Sequence, residues 1–225
     1  MINYEAEEQI QHLSIEGLVS QGSEICVLDI ACGREHRLFD YLRAKGVEVD
    51  GIDPKIPIED SENDYRLIRR AIRKDWPWFG SIPRPAGKYD LVISHHNNLF
   101  DQSFTCFRDT YFLKAVWAEV YGKYLTQSDR WAKRSIREAM RVVKPEGIIV
   151  IYPAVDLIDR MMGEEIDDGE WKVVNVEVPG ITYEERFVSA DMQFWEDCSS
   201  SAGYRSVLYR NSSSTKLLEE VGVKI

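Results

Sequence analysis

The chain has 225 residues, with 28 basic against 38 acidic side chains for a formal net charge of −10, and 44% of its residues are hydrophobic. This is the balance of a folded globular protein rather than a disordered or collagenous one, and its acidity disfavours non-specific attraction to nucleic-acid backbones or anionic membranes. A core of this size buries roughly 70% of the unfolded surface, so one domain over residues 1–225 is expected to fold without a disulfide or metal staple.

In chain order, residues 4–20 carry Ile10, Leu13 and Leu18 at helical spacing and predict one amphipathic opening helix. The run ICVLDI at 25–30 is continuously apolar and of strand length, as expected of a parallel strand buried on both faces. Residues 38–45 predict a helix closed by Gly46, and 47–52 (VEVDGI) alternate like a second strand. Between Glu59 and Lys74 an acidic start precedes Arg66, Arg69, Arg70, Arg73 and Lys74; these fit either a solvated basic helix face or a third strand that scatters them over two faces.

Residues 89–94 (YDLVIS) and 147–152 (GIIVIY) are further strands, the second preceded by a helix at 135–143 that stops at Lys144 and Pro145. The long aromatic stretch 100–134 between them predicts a helical insertion after the fourth strand. Beyond the fifth strand, 171–178 and 181–188 flank Pro179 and Gly180 and predict a β-hairpin. A helix at 190–200, a strand at 205–209, a short helix and an edge strand at 221–225 complete the expectation. Strand, helix and strand alternate, which indicates an α/β fold with a doubly wound, mostly parallel, seven-stranded sheet.

The longest apolar run, 147–155, is far short of the roughly 18 residues of a membrane span. An acidic start replaces the basic one of a targeting segment, so the cytoplasm is the expected location. Cys26, Cys32, Cys106 and Cys198 form no Cys-x-x-Cys pair, so neither zinc nor a disulfide framework is expected.

The chemistry concentrates where the first strand ends, at Val27-Leu28-Asp29-Ile30-Ala31-Cys32-Gly33, with Asp53 closing the second strand. A tight turn there brings backbone close to a ligand, and a carboxylate on the neighbouring strand accepts hydrogen bonds from a ribose diol. These residues resemble the first and second motifs of the class I S-adenosylmethionine-dependent methyltransferases, a Rossmann-like family. YDLVISHH resembles that family's fourth motif, and REAMRVVKPEGIIVI at 137–151 resembles the helix, Pro-Glu-Gly turn and fifth strand that follow it. The resemblance spans roughly residues 24–153.

The resemblance implies S-adenosylmethionine as cofactor. Ala31, Cys32 and Gly33 would back its methionine part, Asp29 would brace the turn, and Asp53 would hold the ribose. Asp75 and Trp76 would meet the adenine, although a shifted register puts Ala71 there. Ser94 would face the methionine, and His95 and His96 would face the methyl group as base or acceptor ligands, against a structural role for either. Glu35 departs from the family's usual glycine: it either crowds the cofactor or pairs with its ammonium. The expected reaction is methyl transfer to a small-molecule acceptor; the absence of an Asn-Pro-Pro-aromatic signature disfavours the amino-directed nucleic-acid and protein methyltransferases, and the chain's acidity disfavours nucleic acid in general. The rivals are a non-catalytic binding protein of the same fold and a nicotinamide-dependent oxidoreductase. The latter is weakened because Ala31 and His36 replace the first and third glycines of Gly-x-Gly-x-x-Gly.

Overall fold

The computed structural model describes residues 5–20, 24–53, 55–69, 82–95, 134, 136–152, 154, 170–180 and 203–224. Its helices are α1 (Ala6–Leu13), α2 (Glu16–Ser20), α3 (Arg37–Ala44), α4 (Ile58–Asn63), α5 (136–142) and α6 (Thr215–Glu220). Its strands are β1 (Cys26–Ile30), β2 (Glu48–Ile52), β3 (Leu67–Ile68), β4 (Tyr89–His95), β5 (Val143–Tyr152), β6 (Trp171–Glu177) and β7 (Tyr204–Arg210).

The seven strands form one sheet in the order β3-β2-β1-β4-β5-β7-β6. Strands β1 to β5 run parallel, and β7 lies antiparallel to both of its neighbours, β5 and β6. Alternate strand residues feed two cores, one on each face. Val27, Val49, Leu91, Ile93 and Val150 pack with Ile10 and Leu13 of α1, Leu18 and Val19 of α2, Leu38, Phe39 and Leu42 of α3, and Leu217 and Leu218 of α6. Leu28, Ile30, Val92, Ile149 and Ile151 pack with Ile136, Ala139 and Met140 of α5. Because both faces are covered, the central strands had to be continuously apolar, and burial over β1 is unbroken. The fold is thus the doubly wound, mostly parallel, Rossmann-like sheet that the motif order implies.

Two local expectations change. The opening helix is not continuous: Ser14 adopts a left-handed conformation (φ 52°), and the amide of Ile15 donates to the carbonyl of Ile10. That closure ends α1 and drops Ile15, fully buried, into the core before α2 begins. Residues 221–224 form no strand. Gly222 is left-handed (φ 79°), and the amides of Gly222 and Val223 are spent on Glu219 and Leu218, so the segment closes α6 instead of joining the sheet.

Strand β6 pairs along its length with β7; the expected hairpin partner at 181–188, the helix at 190–200 and the insertion at 100–134 lie outside the described residues, apart from Arg134. The basic stripe resolves in part. Leu67 and Ile68 are strand, and Arg66 turns back to Glu48 (3.2 Å) and Asp50 (3.5 Å). Asp50 itself is wholly buried and accepts from Arg84 Nε at 2.8 Å, Lys88 Nζ at 2.5 Å and the Tyr89 hydroxyl at 2.6 Å. Burial works against its charge, but these donors hold its carboxyl below the usual range, and burial together with Asp50 pushes the Tyr89 phenol up.

Candidate functional site

The connection after β1 packs α3 on one face, and the connection into β5 packs α5 on the other, so strand order reverses between β1 and β4. Open sheets of this kind bind ligands in the crevice at the carboxyl ends of the strands flanking such a reversal. Here those ends carry Asp29, Ile30 and Ala31 on β1 and its exit, and Ser94 and His95 on β4, with Ile30 in register with Ser94.

The β1 exit is shaped by backbone conformation. Ala31 (φ 65°) and His36 (φ 35°) are left-handed against the preference of residues with side chains, and Gly33 (φ 80°) adopts the same region freely. Ala31 is anchored by its amide to the carbonyl of Ile52 at 2.8 Å, and the Gly33 amide donates to Asp53 Oδ2 at 3.1 Å. Asp53 Oδ1 accepts from the Lys55 amide at 2.6 Å. Among the described residues, nothing lies within 4 Å of a side chain built at Gly33. Asp53 therefore ties the turn after β1 to the end of β2, with one lone pair on each oxygen still unspent by these bonds.

Gly51 was not singled out from sequence. A Cβ there would stand 3.1 Å from Cys32 Sγ and 3.2 Å from Phe39 and Leu67, so the glycine makes room for the loop to fold onto β2. Its signal was present in VEVDGI: a glycine inside a strand marks close approach of other atoms.

Asp29 is 2% exposed, and among the described residues its Oδ2 has no hydrogen-bond partner; the hydroxyl of Ser94, 1% exposed, has none there either. Burial, reinforced by the neighbouring charge of Asp53, pushes the Asp29 carboxyl up to about 8. Burial also raises Asp53, against the two amides that favour its charge, and raises the Cys32 thiol, which makes that sulfur a poor nucleophile. Unsatisfied buried polar atoms are costly, and here two occur on the two strands that flank the crevice.

His95 lies 8% exposed at the end of β4, and its Nε2 is 2.9 Å from Nδ1 of His12 on α1. The two rings stack at 5.2 Å between centroids, and Tyr152 of β5 stacks on His95 at 5.3 Å and lies 4.5 Å from His12. His12 escaped the sequence reading because nothing local pairs it with a residue 83 positions away. The Glu35 carboxylate is exposed and engaged by Arg37, at 2.8 Å from Nε and 2.7 Å from Nη2, while Arg37 also reaches Glu5 at 2.5 Å. His96, Asp75, Trp76 and the alternative Ala71 lie outside the described residues. Asp29, Ala31, Cys32, Gly33, Asp53, Ser94 and His95 are brought to one end of the sheet.

No family model matches the chain, and neither does any curated protein. Solved structures similar to it include the [4+2]-cyclase SpnF, 14% identical with a TM-score of 0.48 over 94% of this chain and 85% of that one. The plantazolicin methyltransferase BpumL in complex with SAH is 11% identical, with a TM-score of 0.46 over 92% of this chain and 84% of that one. A TehB-like SAM-dependent methyltransferase from Corynebacterium glutamicum is 13% identical, with a TM-score of 0.47 over 93% of this chain and 89% of that one. Similarity at this level carries no argument about ligand or reaction, and the fold stands on the strand order and pairing described above.

Proposed function

We propose that the chain binds S-adenosylmethionine in the crevice between β1 and β4 and transfers its methyl group to a small-molecule acceptor. The observation that carries this reading is the pair of unspent buried polar atoms, Asp29 Oδ2 and Ser94 Oγ, at the point where strand order reverses. An amino-acid ammonium would supply donors for Asp29 on the face that packs α3, while Ser94 turns to the opposite face, which packs α5, at the same carboxyl end. The residues present fit the group. A cation beside Asp29 offsets the burial that now favours its neutral form, and with no described residue within 4 Å of a side chain built at Gly33, the backbone there can approach a ligand.

When bound, the cofactor supplies an electrophilic methyl carbon on sulfur. The chain's own work is to orient and to exclude water. Asp53 would accept the ribose hydroxyls on its two remaining lone pairs, and the left-handed turn from Ala31 to Gly33 would bring the main chain against the methionine part. His95, at the end of β4 with its Nε2 2.9 Å from His12 Nδ1, would face the methyl group as base or acceptor ligand. Support for a small acceptor comes from the chain's acidity, which gives no electrostatic attraction to a polyanion.

Titration calorimetry with S-adenosylhomocysteine tests the reading. Wild type is expected to bind it and to ignore NAD. Removing a charged acceptor of two hydroxyls costs about 1.5–3 kcal/mol, so Asp53→Ala should weaken binding roughly 10- to 150-fold. No binding to wild type, or equal affinity in the variant, overturns the proposal.

A further inference from the structure

Across the sheet from the crevice, Arg205 stands near the start of β7. Its neighbour Ser206 is in register with Ile151 of β5, and Tyr204 accepts from the Ala154 amide at 2.8 Å, so Arg205 lies at the same carboxyl edge of the parallel strands. It is an unusual occupant of a core. The residue is 2% exposed, and Nη2 donates to the carbonyl of Val221 at 2.8 Å, but Nε and Nη1 have no partner among the described residues. No described carboxylate offsets its charge, and burial alone lowers its pKa, to about 10. A buried cation satisfied by a single carbonyl is a costly arrangement unless something anionic completes it.

The roof over the guanidinium is thin. Gly222 is exposed, and a Cβ on it would stand 3.1 Å from Arg205 Nη2 and 3.4 Å from Val176 Cγ1. The glycine, required also by its φ of 79°, leaves the guanidinium one residue from solvent.

We propose that Arg205, with the turn at Val221 and Gly222 above it, forms a binding site for a small carboxylate. Nη2 keeps a second N–H beside the one it gives to Val221, parallel to an unspent N–H on Nε or Nη1, so one edge of the planar guanidinium presents two parallel donors to a planar two-oxygen partner. A monoanion neutralises one guanidinium. A phosphate dianion would leave an excess negative charge in the same low-dielectric place, and chloride cannot engage two donors in a fork. The site is separate from the β1 and β4 crevice: β5 and β7 lie beyond β4, which sets the β7 backbone about 10 Å from it at ordinary strand spacing. The inference therefore does not depend on the methyltransferase reading.

The test is thermal unfolding of the full chain in sodium acetate, sodium phosphate and sodium chloride at matched ionic strength and pH. Acetate is expected to raise the wild-type midpoint saturably while chloride does not. Arg205→Met, which keeps the length of the side chain without its charge, is expected to show no acetate-specific rise. Arg205→Lys, a point charge without the fork, should require several-fold more acetate for the same shift, and it carries the test should the methionine variant not fold. An equal response of wild type to acetate and chloride overturns the proposal, as does an acetate response that survives in Arg205→Met or is undiminished in Arg205→Lys. A larger response to phosphate than to acetate overturns the carboxylate assignment. S-adenosylhomocysteine titrations of the same variants report on the other crevice independently.

Discussion

Replacing Asp29 by Asn isolates the electrostatic cost of the crevice. The carboxyl moves from an ordinary value of 3.8 to about 8 in the fold, mainly because it is buried. Between those two values the unfolded chain has lost the proton that the native chain keeps, so native protein binds more protons and stability must fall as pH rises. The slope approaches 1.4 kcal/mol per pH unit, and over about four units the loss reaches about 5 kcal/mol, levelling off above pH 8. At 2% exposure little solvent screening reduces this figure. Asn cannot ionise and has nearly the same shape. Asp29→Asn should therefore resemble wild type only near pH 3.5, exceed it by about 1.5 kcal/mol at pH 5 and by several kcal/mol at pH 8, with a residual slope from the raised Asp53. Urea unfolding of both proteins at pH 5, 6, 7 and 8 measures this directly. Parallel curves across that range would show that Asp29 is ionised in the folded protein, and the argument from its burial would fail. If an ammonium group binds beside Asp29, ligand titration near pH 7 should also release protons in wild type, visible as a dependence of binding heat on buffer ionisation enthalpy, and release few in Asp29→Asn.

Asp50→Ala should cost about 3 kcal/mol, because it removes the acceptor shared by Arg84, Lys88 and Tyr89 and leaves those donors partly buried. Its depressed carboxyl contributes stability above the unfolded pKa that is lost as pH falls through the lower folded value, so the difference between wild type and Asp50→Ala in urea unfolding should shrink in strong acid and be constant near neutrality. Gly51→Ala places a Cβ 3.1 Å from Cys32 Sγ and should cost about 1–3 kcal/mol by overpacking. Since Cys32 belongs to the turn after β1, the same change should weaken S-adenosylhomocysteine binding in calorimetry; unchanged affinity with reduced stability would separate packing at Gly51 from the shape of the crevice.

How much of this was legible beforehand depends on the range of the interactions involved. Strands β1, β4 and β5 could be found because a strand buried on both faces reads as a nearly continuous apolar run, and β2 because its residues alternate, both patterns being written into consecutive positions. Asp29, Gly33 and Asp53 could be named because a strand-to-helix turn and a strand end are local features. The opening helix was drawn one segment too long because helical spacing of Ile10, Leu13 and Leu18 says nothing of the left-handed turn at Ser14 that buries Ile15. The edge strand at 221–225 was misjudged for the complementary reason: Val221 and Val223 are buried as strand residues would be, but their backbone closes α6.

The sequence by itself therefore determined the strand and helix content of the central sheet and the place of the turn after β1. Composition and periodicity record the burial of each element, and burial is the largest favourable term in folding. Only the tertiary structure decided which distant groups meet. It set β7 antiparallel between β5 and β6, joined Gly33 to Asp53, stacked His12 on His95 with Tyr152 tilted beside it, and enclosed Arg205 beneath Val221 and Gly222. It also left Asp29 and Ser94 with polar atoms unspent. Those outcomes follow from the packing of the whole chain, where a side chain's partners are chosen by elements far from it in sequence, and no local pattern carries that information.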